Sequence, residues 1–295
     1  MQLQDAHEVD LPVEERADAI PARRRLDSIR PYPAELCCKP DATLTSSSRQ
    51  AIKGYQSVRK LRALLVLAVG LLPASRRKNG LLNRLGHQIH PTATIAPIVL
   101  LRVRKLRVGA RTTIGFGNAL RGLRLAEFGE ETEVGPRNDF RANLAHLKTA
   151  AEPDLVGVLK VGNVVFISKR HVIDCSGGVV IGDWSGIAGR GVFIYSHSYD
   201  PQFATMTCAP TRIGQNCMVA AMTTLAMGST LPEASILAMG GVLLPGAKKT
   251  YSIYGGVPAK PLSTDIKGWK YLHRTQMTPS NKKGLGMPPP ALSAD

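Results

Sequence analysis

Between Ile213 and Leu243 an aliphatic residue returns every six positions, at Ile213, Val219, Leu225, Leu231, Leu237 and Leu243. A period of six is neither the 3.6 of a helix nor the simple alternation of a half-buried strand, so each six sends one apolar residue inward from one flat face. Three such faces close a triangular coil. Stacked coils pair each strand with parallel neighbours and line the interior with continuous aliphatic columns. The same spacing recurs upstream at Val108, Ile114 and Leu120, at Phe128, Val134 and Phe140, at Val161, Ile167 and Ile173, and at Ile181, Ile187 and Phe193. Glycine often follows the first member of a set, as at Gly109, Gly129, Gly162, Gly182 and Gly214. These features predict a mainly β chain with a parallel β-helix of hexapeptide repeats over residues 87–262.

One interruption stands out. Phe193 and Ile213 are twenty residues apart where eighteen would keep register, and the intervening YSHSYDPQFATMTCAPT must bulge from the coil. His197 lies near the start of that excursion, where rigid scaffold would hold it.

The flanks read differently. Residues 1–52 mix charge, proline and a serine run without hydrophobic periodicity, and are expected to be a disordered extension. Residues 53–86 are expected to be helical. Within them ALLVLAVGLLPA at 63–74 is too short to span a bilayer. With Lys60 and Arg62 before it and Arg76, Arg77 and Lys78 after, it fits either peripheral membrane contact through residues 60–78 or a cover over the open end of the coil. Residues 263–295 are expected to form a C-terminal tail.

A net charge of +16 permits nucleic acid, an anionic membrane or anionic small molecules as partners. With no zinc-finger spacing, no basic region followed by heptads and no aromatic RNA-binding signature, no nucleic acid partner is expected. Five cysteines without a CxxC pair suit a reducing compartment, and the acidic N-terminus has no apolar run for a secretory signal, so the chain is expected to be cytoplasmic.

Three stretches carry a resemblance: SGGVVIGDWSGIAGRGVFIYSHSYD at 176–200, IGQNCMVAAMTTLAMGSTLPEASILAMGGVLLPG at 213–246, and YSIYGGVPAKPL at 251–262. They resemble the hexapeptide-repeat acyltransferases, most closely the maltose, galactoside and polysaccharide O-acetyltransferases. The resemblance implies a left-handed winding, which spacing alone does not give and which runs against the usual right-handed crossover. It also implies a homotrimer, acetyl-CoA as acyl donor, and a sugar or glycan precursor as acceptor.

Carried over residue by residue, His197 corresponds to the family's general base, with its second ring nitrogen expected to donate to a carbonyl. Imidazole suits the task because its pKa lies near neutrality. Ser168 stands where many sugar acetyltransferases have an acceptor-binding Asn, a departure that leaves the acceptor open between a sugar hydroxyl and the amine of an amino sugar or amino acid. Ala221 and Met239 match positions along the pantetheine arm, and Lys260 the basic residue near the nucleotide phosphates. Asp200 is as compatible with an Asx-turn as with orienting the base. His171 is expected on the solvated repeat surface or at a subunit contact, and His87, His90 and His146 have no anchoring motif. Without a second His near His197, a zinc lyase of the γ-carbonic-anhydrase kind is not expected, and no metal is assigned. Cys175 and Cys217 read as buried packing residues. The contrasting possibility is a non-catalytic scaffold.

Overall fold

In the computed structural model, residues 60–144 and 150–277 are described. The expectation of a disordered extension over 1–52 lies outside them. The chain is a left-handed parallel β-helix: three sheets of seven, nine and seven strands form the faces of a triangular prism. On each face the strands pair in parallel with the coil before and after, as Ile167 pairs with Val134 and Ile187 on the second face.

The sixth-residue columns are the core. Ile114, Leu120, Ile167, Ile173, Leu225 and Leu237 are each completely buried. At about 1.5–3 kcal/mol for each fully buried aliphatic side chain, these columns dominate stability. The glycine after the first residue of each set has a physical reason: a Cβ on Gly109 would sit 2.6 Å from the Gly129 carbonyl carbon, and one on Gly129 would sit 2.5 Å from the Gly162 oxygen. Backbones at this edge approach too closely for any side chain.

Strict sixes hold only toward the C-terminal end. Lys105–Val108, Leu125–Phe128 and Val158–Val161 are strands of four residues; the first two bury two side chains each and the third buries three. An extension of two residues preserves the pleat, so inward residues stay inward. A second departure corrects the expected inward residue of the third face. Ile194, not Phe193, fills the column, pairing with Ile173 and Leu225. The corner Gly189-Arg190-Gly191 holds one extra residue, with both glycines at positive φ (69° and 71°), and that turns Phe193 outward. Phe193 is 39% exposed and stacks on Tyr195, with centroids 6.4 Å apart.

Two excursions leave the edge between the third face and the next coil's first face. The anticipated one contains the antiparallel hairpin His197–Asp200 with Thr205–Cys208. The other includes residues 142–144 and 150–157, on either side of a stretch outside the described residues. The two meet: the Ala151 amide donates to the Cys208 carbonyl at 3.1 Å, and Arg212 pairs with Glu152 at 2.6 Å.

The N-terminal end of the prism is closed. Helix α1 (residues 60–70) and helix α2 (Arg76–Arg84) place Val66 and Leu82 in the core. Lys78 fastens this cap from below, its ammonium donating to the carbonyls of Gly70, Leu72, Ile95 and Ala96 at 2.8–3.2 Å. The opposite stripe of α1 faces solvent, with Leu61, Leu64 and Leu65 46–63% exposed. No helix among the described residues is long and apolar enough to cross a membrane. The first described residues of the expected C-terminal tail pack on the prism. Ile266 and Leu272 bury against Ala234 and Ile236, while Met277 covers Val164 and Trp184. Arg274 pins this strap to the prism, donating to Asn216 Oδ1 at 2.5 Å and to the Trp184 carbonyl, with its guanidinium 3.9 Å from the Tyr271 ring centre.

Candidate functional site

His197 begins the hairpin, directly after the third face. Its ring is held from below: Nδ1 lies 2.7 Å from Oδ2 of Asp174, which ends the third-face strand one coil earlier. A carboxylate only accepts, so Nδ1 carries the proton and Nε2 keeps the lone pair. The expected carbonyl partner is thereby corrected to a carboxylate. A carbonyl would fix the tautomer, whereas the carboxylate fixes it and also stabilises the imidazolium once a proton is taken.

Asp174 is itself fully engaged. Oδ2 accepts from the Ser196 amide at 3.1 Å and Oδ1 from the Ser176 hydroxyl at 2.7 Å, while the Ser196 hydroxyl is shared between the Asp174 main-chain carbonyl at 2.6 Å and Oδ2 at 3.0 Å. Ser176 in turn accepts from the Asn143 amide at 3.0 Å, which ties the Ala142–Gly157 excursion to the same carboxylate. Asp174 is 4% exposed, and the His197 side chain is 32% exposed. The base is presented outward while its support stays dry. Gly177 makes the hairpin root possible, since a Cβ there would lie 2.3 Å from the Ser196 carbonyl oxygen.

Sequence reasoning missed Asp174. It lies 23 residues before His197, and the signal was register: residues one coil apart at one edge are stacked neighbours. Asp200 turns its carboxylate to its own loop, accepting from the Gln202 and Phe203 amides at 2.9 and 3.3 Å, the Asx-turn alternative.

His171 is not on the solvated surface. It is 1% exposed and continues a buried ladder in which Asn118 Oδ1 accepts from the Asn138 amide and Asn138 Oδ1 from the His171 amide. Its Nδ1 accepts from the Val192 amide at 3.1 Å, so Nε2 carries the proton and donates to the Ser168 hydroxyl at 3.1 Å. Burial lowers the His171 pKa to about 4, keeping the ring neutral. His87 is likewise buried, with Nδ1 accepting from the Leu106 amide. His146 lies outside the described residues.

The Ser168 hydroxyl donates to the Gly189 carbonyl while accepting from His171. Its hydrogen is thus committed to the scaffold. Ser168 sits on the edge between the second and third faces, whereas His197 sits on the edge after the third face, so one protomer does not bring them together.

The three residues expected at the donor do share an edge, the same one as Ser168. The Gly240 amide donates to the Ala221 carbonyl at 3.2 Å, which places Met239 one coil above Ala221. Lys260 pairs with Gly255, whose position abuts Ala238, which precedes Met239. Met239 is 74% exposed, so it narrows no groove within the protomer.

Cys175 and Cys217 are completely buried, and desolvation drives both thiols up, Cys217 to about 12. Neither supplies a thiolate near neutral pH. Among the described residues no group of three His, Cys, Asp or Glu could hold a metal ion.

No family model matches the sequence, and no curated protein matches it. Solved structures share the repeat architecture. A mutant of AntD, an N-acyltransferase from Bacillus cereus in complex with dTDP and coenzyme A, is 11% identical over 65% of this chain and 91% of its own, with a TM-score of 0.42. The hexapeptide-repeat acetyltransferase VCA0836 from Vibrio cholerae, complexed with acetyl-coenzyme A, is 17% identical over 71% of this chain and 87% of its own, at 0.35. UDP-N-acetylglucosamine O-acyltransferase (LpxA) from Moraxella catarrhalis is 20% identical over 62% and 72%, at 0.33.

Proposed function

We propose that this protein transfers an acetyl group from acetyl-CoA directly to a hydroxyl of a sugar or glycan precursor, with His197 as general base. The observation that carries this reading is the 2.7 Å contact between His197 Nδ1 and a buried Asp174 whose carboxylate also accepts from the Ser196 amide and the Ser176 hydroxyl. So costly an arrangement holds one imidazole in a fixed orientation and tautomer. The acceptor O–H gives its proton to Nε2 as its oxygen attacks the thioester carbonyl. The tetrahedral intermediate then expels the CoA thiolate, which recovers the proton from the imidazolium. Asp174 holds the ring throughout and offsets its transient charge.

The donor would lie along the edge of Ala221 and Met239, with Lys260 offering a point charge to its phosphates. Since that edge and His197 flank opposite sides of the third face, the reading requires a second copy of the chain, and a threefold assembly supplies it in every site. The outward leucines of α1, beside Lys60, Arg76 and Arg77, support peripheral contact with anionic lipid, which co-sedimentation with phosphatidylglycerol vesicles tests.

The deciding experiment is a thiol-release assay with acetyl-CoA and a panel of glycans and nucleotide sugars, run on the parent and on His197→Ala. Acceptor-dependent release that disappears in the variant supports the reading. Absence of both turnover and CoA binding sinks it in favour of a scaffold, and an exclusively base-stable amide product would replace the hydroxyl acceptor with an amine.

A further inference from the structure

The three edges of the prism differ sharply in charge. The edge between the first and second faces carries Glu130, Glu131, Asp183 and Glu233. The edge between the second and third faces carries no carboxylate in any of its corners: 96–98, 115–118, 135–138, 168–171, 188–192, 220–223 and 238–241. Instead, three consecutive coils of that edge present Arg137, then Lys169 and Arg170, then Arg190, all exposed. Backbone bonds stack these corners directly, with the Arg170 amide on the Pro136 carbonyl at 3.3 Å and the Gly191 amide on the Arg170 carbonyl at 3.2 Å. Adjacent coils are therefore about 4.8 Å apart, the strand spacing of a sheet. None of the four cations has an acidic partner among the described residues, although Arg107, Arg111, Arg121 and Arg212 elsewhere on the prism all do.

Four cations held on a rigid rail without counter-charge repel one another unless an anion bridges them. Long side chains on adjacent coils can converge on one phosphate or diphosphate group, and arginine is the side chain whose fork engages phosphate oxygens in pairs. Arg137 and Arg170 sit at φ 63° and 57°, the corner conformation that Arg111, Val164 and Met222 also adopt. At the N-terminal end of the rail Phe116 is 51% exposed and packs under the Arg137 guanidinium at 5.3 Å, which steadies that side chain.

We propose that this rail binds the phosphates of the acceptor, so that the acceptor is a sugar diphosphate and not a neutral sugar. This rests on the donor assignment above: Arg190 is one coil from Ala221, since the Met222 amide donates to the Arg190 carbonyl at 3.0 Å, so donor and acceptor would share one edge end to end. Ser168, with its hydrogen spent on Gly189, then acts as scaffold beneath the rail, and charge does the recognising. Two sources carry this chemistry, a soluble nucleoside diphosphate sugar and a polyprenyl diphosphate sugar in a bilayer.

The test uses the full chain saturated with CoA, so that the donor's own phosphate site is filled. CoA affinity is measured first by calorimetry, and failure there defeats the acyltransferase reading itself. Inorganic pyrophosphate is then titrated into the CoA complex of the parent, of the double variant Arg170→Asn with Arg190→Gln, and of Lys249→Gln as a control off the rail. Asn is chosen at 170 because it tolerates positive φ. The proposal expects pyrophosphate to bind the parent and to weaken at least tenfold in the double variant, with CoA affinity and the control within twofold. Pyrophosphate binding that is absent in the parent, or equal in all three proteins, overturns the rail while leaving the donor site standing. UDP in solution and a polyprenyl diphosphate in phosphatidylcholine vesicles, each competing against pyrophosphate, then separate the two sources.

Discussion

Asp174 and His197 meet at 2.7 Å because one coil of the prism stacks the end of one third-face strand under the start of the hairpin that follows the next. Replacing Asp174 by Asn keeps the volume but substitutes an amide for a full acceptor, so the ring loses its fixed tautomer and the imidazolium its counter-charge. We expect Asp174→Asn to lower kcat by roughly ten- to a thousandfold with CoA affinity unchanged. His197→Ala should lower it by about a hundred- to ten-thousandfold, and the double variant should be little worse than His197→Ala alone. Additive losses would mean that Asp174 acts independently of the histidine. The readout is kcat beside CoA titration for all three variants.

A site divided between copies predicts complementation. His197→Ala and Ala221→Trp should each be inactive alone, the first lacking the base and the second blocking the donor edge. Refolded together in equal amounts, they should recover about a quarter of parental activity, the fraction of interfaces that pair two intact halves in a randomly mixed cyclic trimer. No recovery, with mixed assemblies verified by mass, would place base and donor in the same protomer.

The columns and the glycine spacing were legible because each coil obeys one steric rule, repeated. Gly129 shows how strict that rule is: with its Cβ position 2.5 Å from the Gly162 oxygen, Gly129→Ala must push two coils apart. We expect a cost of about 2–4 kcal/mol in urea unfolding, against less than about 0.5 kcal/mol for Gly268→Ala, which meets nothing within 4 Å. What spacing could not reveal was anything that preserves the pleat or leaves the coil. The two-residue extensions at Leu106 and Ala126 are invisible to the inward pattern, and the single extra residue at Gly189–Gly191 moved the column from Phe193 to Ile194. Asp174 was missed for a related reason: its partnership is set by stacking across 23 residues, and a sequence motif reads only along the chain.

The strap over the second face offers a further check. Desolvation lowers the pKa of Arg274, yet its two terminal nitrogens donate to Asn216, Tyr271 and Trp184. Arg274→Ala leaves the Asn216 oxygen and the Trp184 carbonyl without this donor and removes the cation from the Tyr271 face, so a loss of about 2–3 kcal/mol is expected. Because the strap lies on the second face, away from the His197 hairpin, kcat at low temperature should stay within about twofold. A large loss of kcat with unchanged stability would instead give the strap a part in turnover.

The last prediction concerns acid. His87 and His171 are 3% and 1% exposed, each accepts a backbone N–H through Nδ1, and burial lowers each pKa from 6.5 to about 4. The unfolded chain then binds protons that the folded chain refuses, so stability is fully present above pH 6.5 and declines as pH falls toward 4. Each ring should account for up to about 3 kcal/mol of that decline. At position 171 the ladder itself suggests the remedy. His171→Asn would extend the run of Asn118 and Asn138 with a side chain that accepts from the next corner at any pH. Urea unfolding at pH 7.5 and pH 4.5 should therefore show a smaller loss of stability on acidification in His171→Asn than in the parent, and equal losses would mean that His171 has the same pKa in the folded and the unfolded chain.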